Sequence, residues 1–185
     1  DKKQLWRRWH LVYLGEAKAI TDDLVKVGIK NLILKGPPWQ IAKYGFLLDK
    51  PSADIDLLVD SDKYSVVKKI LNRGGYHLRR TGWMRKEFYR GSPPRVSEMT
   101  YVKKILGTKL TIDLHLQAVR EALTAWYKEP ITHSNMSLLT SYLLDQRIPE
   151  GGWSVLPDTD SLLYLCLNLM IHHAGRGIYQ LANIA

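Results

Sequence analysis

Apolar residues recur every third or fourth position near the start of the chain, at Leu5, Trp9, Val12, Ile20 and Leu24, with Glu16 in the same stripe. That spacing predicts one long helix over residues 3–28, or two if Thr21-Asp22-Asp23 caps a fresh start, with Gly28 as the stop. Residues 31–35 form a short apolar strand broken by Pro37-Pro38, and residues 39–44 suit a short helix closed by Gly45. The period then falls to two. In residues 53–59, Ile55, Leu57 and Val59 point one way and Asp54 and Asp56 the other. Ser61 or Asp62 caps a helix running to about Arg73, with Tyr64, Val67, Ile70 and Leu71 inside and Gly74-Gly75 at its end. Together these make a strand–helix–strand unit of the βαβ type. Two strands are predicted over 76–80 and 86–90 and another over 97–104, before Gly107-Thr108 turns the chain. Period two returns in residues 110–116, running on to about 118. Leu110, Ile112, Leu114 and Leu116 make one face, and Thr111, Asp113 and His115 the other. Helical pieces broken at Pro130 follow. Residues 149–152 (Pro-Glu-Gly-Gly) mark a boundary, and a helix capped by Asp158 or Thr159 is apolar nearly all round.

The two period-two strands carry the candidate chemistry. Asp54 and Asp56 are same-face neighbours and repel each other. A cation between them relieves that repulsion, and hard oxygen ligands select Mg²⁺ or Mn²⁺. If the strands are adjacent, Asp113 joins them as a third carboxylate, a usual arrangement for phosphoryl or nucleotidyl transfer. The alternative is a solvated strand edge, because Asp-x-Asp is a common tripeptide. His115 shares the carboxylate face and suits a supporting hydrogen bond better than a proton shuttle.

The context of these strands resembles the DNA polymerase β-like nucleotidyltransferase superfamily, most of all its uncharacterised bacterial and archaeal group. The resemblance rests on Leu34-Lys35-Gly36, a helix, Lys50 followed by the Asp54-Ile55-Asp56-Leu57-Leu58-Val59 strand, and then Ile112-Asp113-Leu114-His115. It extends over roughly residues 30–120, with Leu156-Pro157 and a Leu-rich helix ending in His172 matching the helical tail. It implies that Asp54, Asp56 and Asp113 are the catalytic, metal-holding carboxylates. It also implies that Lys35, the Gly36 amide and Lys50 bind the nucleotide triphosphate. Two positions depart from the pattern. Gly36-Pro37 replaces Gly-Ser or Gly-Gly, removing a hydroxyl and an N–H, although proline can open the next helix. Lys50 replaces an arginine and loses its two-pronged fork.

The implied fold is α+β, a small mixed β-sheet flanked by helices, with a C-terminal helical segment. A nucleotidyltransferase domain with its N-terminal helix is expected over 1–150, and the helical segment over 151–185. The implied activity is metal-dependent transfer of a nucleoside monophosphate from an NTP to an acceptor hydroxyl on RNA, a protein or a small molecule. Some relatives act as toxins of toxin–antitoxin pairs. The alternative is a catalytically inactive nucleotide- or RNA-binding module of the same fold, which Gly36-Pro37 favours.

Composition adds further expectations. The net charge of +9 favours a polyanionic partner such as an NTP or RNA, or an acidic protein. Basic residues from Arg79 to Arg95, interleaved with Tyr76, Trp83, Phe88 and Tyr89, suit a base or single-stranded nucleic acid as well as they suit a half-exposed hairpin. The single cysteine, Cys166, lies in an apolar helical run, which suggests packing and a reducing, cytoplasmic setting. No membrane span is expected, and the chain runs from Asp1 to Ala185 with room for trimming at either end.

Overall fold

Both period-two stretches are strands, and they lie side by side. The computed structural model describes residues 2–46, 54–79, 98–118 and 133–173. Its elements are α1 (Lys2–Lys26), β1 (Asn31–Lys35), α2 (Pro37–Tyr44), β2 (Asp54–Val59), a 3-10 turn (Ser61–Lys63) and α3 (Tyr64–Arg73). They continue with β3 (His77–Leu78), β4 (Glu98–Ile105), β5 (Thr108–His115), α4 (His133–Gln146), β6 (Ile148–Glu150), β7 (Trp153–Val155) and α5 (Asp158–His173). Five strands form one sheet in the order β1-β2-β5-β4-β3. Only β2 and β5 pair in parallel; the other neighbours are antiparallel. The α+β class and the mixed sheet are therefore as expected. The strand–helix–strand unit is split: β2 and β3 run parallel, but β5 and β4 lie between them.

The two faces of the sheet are covered differently. Ile33, Ile55, Leu57, Val59, Leu110, Ile112 and Leu114 pack against Tyr13, Ala17, Ile20 and Leu24 of α1 and Val67, Ile70 and Leu71 of α3. On the other face Leu32, Leu34 and Leu58 pack against Leu143 and Leu144 of α4, Leu156, and Tyr164 of α5. Alternation along each strand sends its side chains into the two clusters in turn. Each fully buried Leu or Ile contributes about 1.5–3 kcal/mol.

Several boundaries differ from the expected ones. α1 is unbroken, because the Thr21 hydroxyl donates to the Lys18 carbonyl within the helix instead of capping a new one. Its buried stripe is His10, Tyr13, Ala17, Ile20 and Leu24, while Trp9 and Val12 are partly buried. The small side chain of Ala17 lets the helix approach the sheet. Glu16 is not core: it accepts Lys103 Nζ at 2.8 and 2.9 Å and the Tyr76 hydroxyl at 3.0 Å, tying α1 to the sheet. The side chain of Leu5 lies outside the described set.

Asp60, not Ser61 or Asp62, caps the next turn, its carboxylate accepting the Asp62 N–H at 3.0 Å. β4 and β5 join through Leu106 and Gly107, both at positive φ, as a two-residue hairpin turn requires. β5 ends at His115 rather than near residue 118. α5 is not buried all round: Ser161 and Tyr164 face inward, while Leu162 and Leu163 are exposed. The 149–152 run is the turn of the β6–β7 hairpin, which packs on α2 and β1. A Cβ at Gly151 would stand only 2.9 Å from Ala42 Cα. The strand predicted over 86–90 and the helical piece before Pro130 lie outside the described residues, while the piece after Pro130 is found as α4. Among the described residues no helix is long and apolar enough to cross a membrane.

Candidate active site

The candidate residues form a row across four strands. Lys35 on β1 stands opposite Asp56 on β2, Asp56 opposite Asp113 on β5, and Asp113 opposite Thr100 on β4. Directly opposed residues share a face of the sheet, so an ammonium, two carboxylates and a hydroxyl line up side by side. Asp54 sits two residues from Asp56 on the same face, opposite Thr111. On the other side of the row, Leu32, Leu58, His115 and Glu98 make a parallel row in register.

Lys35 joins the row through an irregularity. The β1–β2 register shifts between Ile33 and Lys35. In an unbroken ladder Leu34 would oppose Asp56, and Lys35 would point into the apolar cluster. The extra residue puts Leu34 and Lys35 on the same side, which is a common use of a bulge. Gly36 then turns the chain into α2 at φ 93°, ψ −171°, a region essentially restricted to glycine. Pro37 opens the helix, as its fixed φ permits.

The electrostatics are those of a crowded acidic site. Asp56 is buried, and its Oδ1 lies 3.2 Å from Lys35 Nζ and accepts a hydrogen bond from His115 Nε2 at 3.1 Å. Burial alone would raise its pKa, but His115 and Lys35 outweigh that and hold it below the usual value. Lys35 is the mirror case: burial would lower it, and Asp56 and Asp54 hold it above the usual value. Asp54 has less help. Burial and the neighbouring Asp56 push its pKa up to about 6, despite Lys35. Asp113 is raised by burial, against the hydrogen bond it accepts from Thr100 Oγ1 at 2.8 Å.

Of the six residues expected at the site, Lys35, Gly36, Asp54, Asp56 and Asp113 are brought to one end of the sheet, and Lys50 lies outside the described residues. So does all of the basic and aromatic stretch that follows Arg79. The side chain of His172 is outside them too. His115 supports Asp56 as expected.

Sequence reasoning missed four neighbours. Thr100 and Glu98 alternate onto the site face of β4, a period-two signal present in the chain but not used. Burial raises the Tyr13 hydroxyl, and Asp54 raises it further. Tyr164 is almost fully buried, and its hydroxyl has no hydrogen-bond partner among the described residues; burial raises its pKa, and Asp56 and Glu98 add to that. Neither tyrosine shows a pattern in sequence that ties it to the carboxylates.

Among the described residues no three His, Cys, Asp or Glu side chains form a ready metal-ligand set. The donors nevertheless suit a hard divalent cation in kind. All are carboxylate oxygens, and among the described residues three acids face one lysine and Asp56 Oδ2 is buried without a hydrogen-bond partner. A buried, unpartnered carboxylate oxygen is costly unless something charged meets it.

A family model described as an uncharacterised nucleotidyltransferase matches residues 3–185. The five-stranded mixed sheet with its flanking helices is consistent with a nucleotidyltransferase-type fold. No curated protein and no solved structure matches the chain.

Proposed function

The chain belongs to this uncharacterised nucleotidyltransferase family, and from that premise we propose that it moves a nucleoside monophosphate from an NTP to an acceptor hydroxyl, with Asp54, Asp56 and Asp113 holding Mg²⁺ or Mn²⁺. The observation that carries this reading is the row Lys35–Asp56–Asp113, with an unpartnered buried oxygen on Asp56. A divalent cation bound by these carboxylates would supply Lewis-acid stabilisation of phosphoryl charge.

The rest is the work of the chain's own side chains. Lys35 neutralises part of the carboxylate cluster in the resting protein. Its flexible stem also lets it turn toward a triphosphate. Gly36 allows the backbone to come close to phosphate at the start of α2. Thr100 steadies Asp113. The covered part of the same face, with Leu32, Leu34, Leu58 and Tyr164 beside the row, keeps water from the Asp56 side. No nucleophilic side chain is needed, because positioning and electrostatics account for most of the barrier reduction in phosphoryl chemistry. RNA, a protein hydroxyl and a small molecule are the acceptor classes to test, and the net charge of +9 favours an anionic one.

One observation favours a second reading, a nucleotide- or RNA-binding module without turnover. Pro37 and Pro38 remove two N–H donors from the first turn of α2, where a triphosphate would be cradled.

The test is label transfer. The protein is incubated with each α-phosphate-labelled NTP, Mg²⁺ or Mn²⁺, and cell extract, beside an Asp54→Asn/Asp56→Asn variant. Label on an RNA, protein or small-molecule product, absent with the variant, is the expected result. Metal-dependent NTP binding without transfer would select the binding module. Absence of both binding and transfer would overturn the site.

A further inference from the structure

Asp56 is reached by two donors from opposite sides, and both converge on the same oxygen. Lys35 Nζ comes from β1 and His115 Nε2 from β5, each to Oδ1. Because a carboxylate oxygen only accepts, Nε2 carries the hydrogen in this bond. On its far side, His115 Nδ1 stands 3.7 Å from Glu98 Oε2, the residue opposite it on β4. His115 and Asp56 are both buried, and Glu98 is mostly so. His115 is thus hydrogen-bonded to Asp56, while Glu98 stands beyond hydrogen-bond distance and attracts the ring when both of its nitrogens carry hydrogens; His115 and Glu98 lie one row removed from Lys35–Asp56–Asp113–Thr100. Oδ2, the oxygen that His115 and Lys35 leave alone, is buried and has no hydrogen-bond partner among the described residues.

We propose that His115, backed by Glu98, is a positioning residue that pins Asp56 by Oδ1 and so reserves Oδ2 for the cation of the incoming nucleotide. This inference rests on the metal-dependent reading above. Lys35 sits on a flexible stem and is partly exposed, so it can leave Oδ1 when a triphosphate arrives. His115 is held between two strands, so the carboxylate keeps its orientation while the lysine is gone. A pinned ligand loses little rotational freedom on meeting a cation, and removal of such supporting partners typically weakens metal affinity about 10–100-fold.

The experiment measures Mn²⁺ binding by electron paramagnetic resonance, with a non-hydrolysable NTP analogue present, beside thermal melting without metal. The wild-type protein is compared with His115→Leu, His115→Gln and Glu98→Gln. We expect His115→Leu to bind Mn²⁺ about tenfold or more weakly. His115→Gln, whose amide N–H can still donate to Oδ1, should recover to within about threefold of wild type, whatever the two variants do to melting. Glu98→Gln should fall between. A purely structural histidine would instead make affinity follow the melting temperature, and glutamine would not rescue it.

Wild-type affinity in His115→Leu overturns the inference while leaving the proposed function standing. If His115→Leu does not fold, wild-type affinity in Glu98→Gln or poor binding by a well-folded His115→Gln overturns it. A wild-type protein that binds no Mn²⁺ with the analogue present overturns the metal-dependent reading itself.

Discussion

The two faces of β2 and β5 are built from alternate residues of the same two strands, yet they follow opposite physical rules. One face carries Ile55, Leu57, Val59, Leu110, Ile112 and Leu114, each at most 1% exposed and packed between α1 and α3. The other carries Asp54, Asp56, Asp113 and His115, where like charges stand side by side in a partly dry setting. The first face lowers the free energy of the fold. The second is mixed: burial works against ionised Asp54 and Asp113 while His115 and Lys35 favour ionised Asp56, and Asp56 and Asp113 are each held in place between two covalently bound residues of the first. A short strand with strict alternation thus lets a protein carry an unfavourable charge cluster on a favourable scaffold.

The sharpest way to break this contrast is to neutralise the central acid. Asp56→Asn should reduce label transfer about a thousandfold or more, worth about 4 kcal/mol of barrier, while circular dichroism shows the fold retained. The converse change is made one residue away. Leu57→Ala should cost about 3 kcal/mol of stability in a urea titration, by lost burial and a cavity, with the NTP affinity of the folded fraction unchanged. Gly36→Ala tests the turn between the lysine and α2. A side chain at φ 93° should cost about 2 kcal/mol by the same titration and weaken NTP binding, since both follow from one backbone conformation.

The smallest effect is the most pointed. The folded-state pKa of Asp54 lies near 6, above its unfolded value of 3.8, so the folded chain holds this proton more tightly. Its contribution to stability is present below about pH 3.8 and is lost as the pH rises through about 6. Asp54→Asn should therefore leave stability in EDTA little changed near pH 4 and raise it by roughly 1 kcal/mol above pH 6.5, a value discounted for partial exposure. The same variant should lose transfer activity. More stability with less activity is the signature of a face kept for function.

Much of this arrangement was legible in the chain. Period-two alternation at residues 53–59 and 110–116 put the carboxylates on one side before any pairing was known, and the pairing placed Asp113 opposite Asp56. Gly28, Gly45 and Pro37 marked helix ends and starts through backbone limits that hold in any context. What stayed hidden depends on contacts distant in sequence. The inner face of α1 is decided by the approach of Ala17 and Tyr13 to the sheet, so a stripe counted from Leu5 and Trp9 drifts off it. Glu98 and Thr100 gain their roles only because β4 lies next to β5. Tyr164 reaches the site from a helix about fifty residues beyond the last acidic strand, and no local pattern announces that. The β1 irregularity was hidden for another reason: residues 31–35 contain no glycine, the usual sign of a bulge.

That irregularity also bears on how the strands find their partners. A pairing slipped by one residue, with Leu34 opposite Asp56, keeps almost the same backbone hydrogen bonds. It would, however, drive the Lys35 ammonium toward Ile55 in the dry cluster and leave Asp56 without its counter-charge. An unpaired buried charge costs several kcal/mol, more than the slip could recover in regular pairing. The lysine and the aspartate therefore act as a proofreading mark during folding: the attraction between them penalises the mispaired sheet.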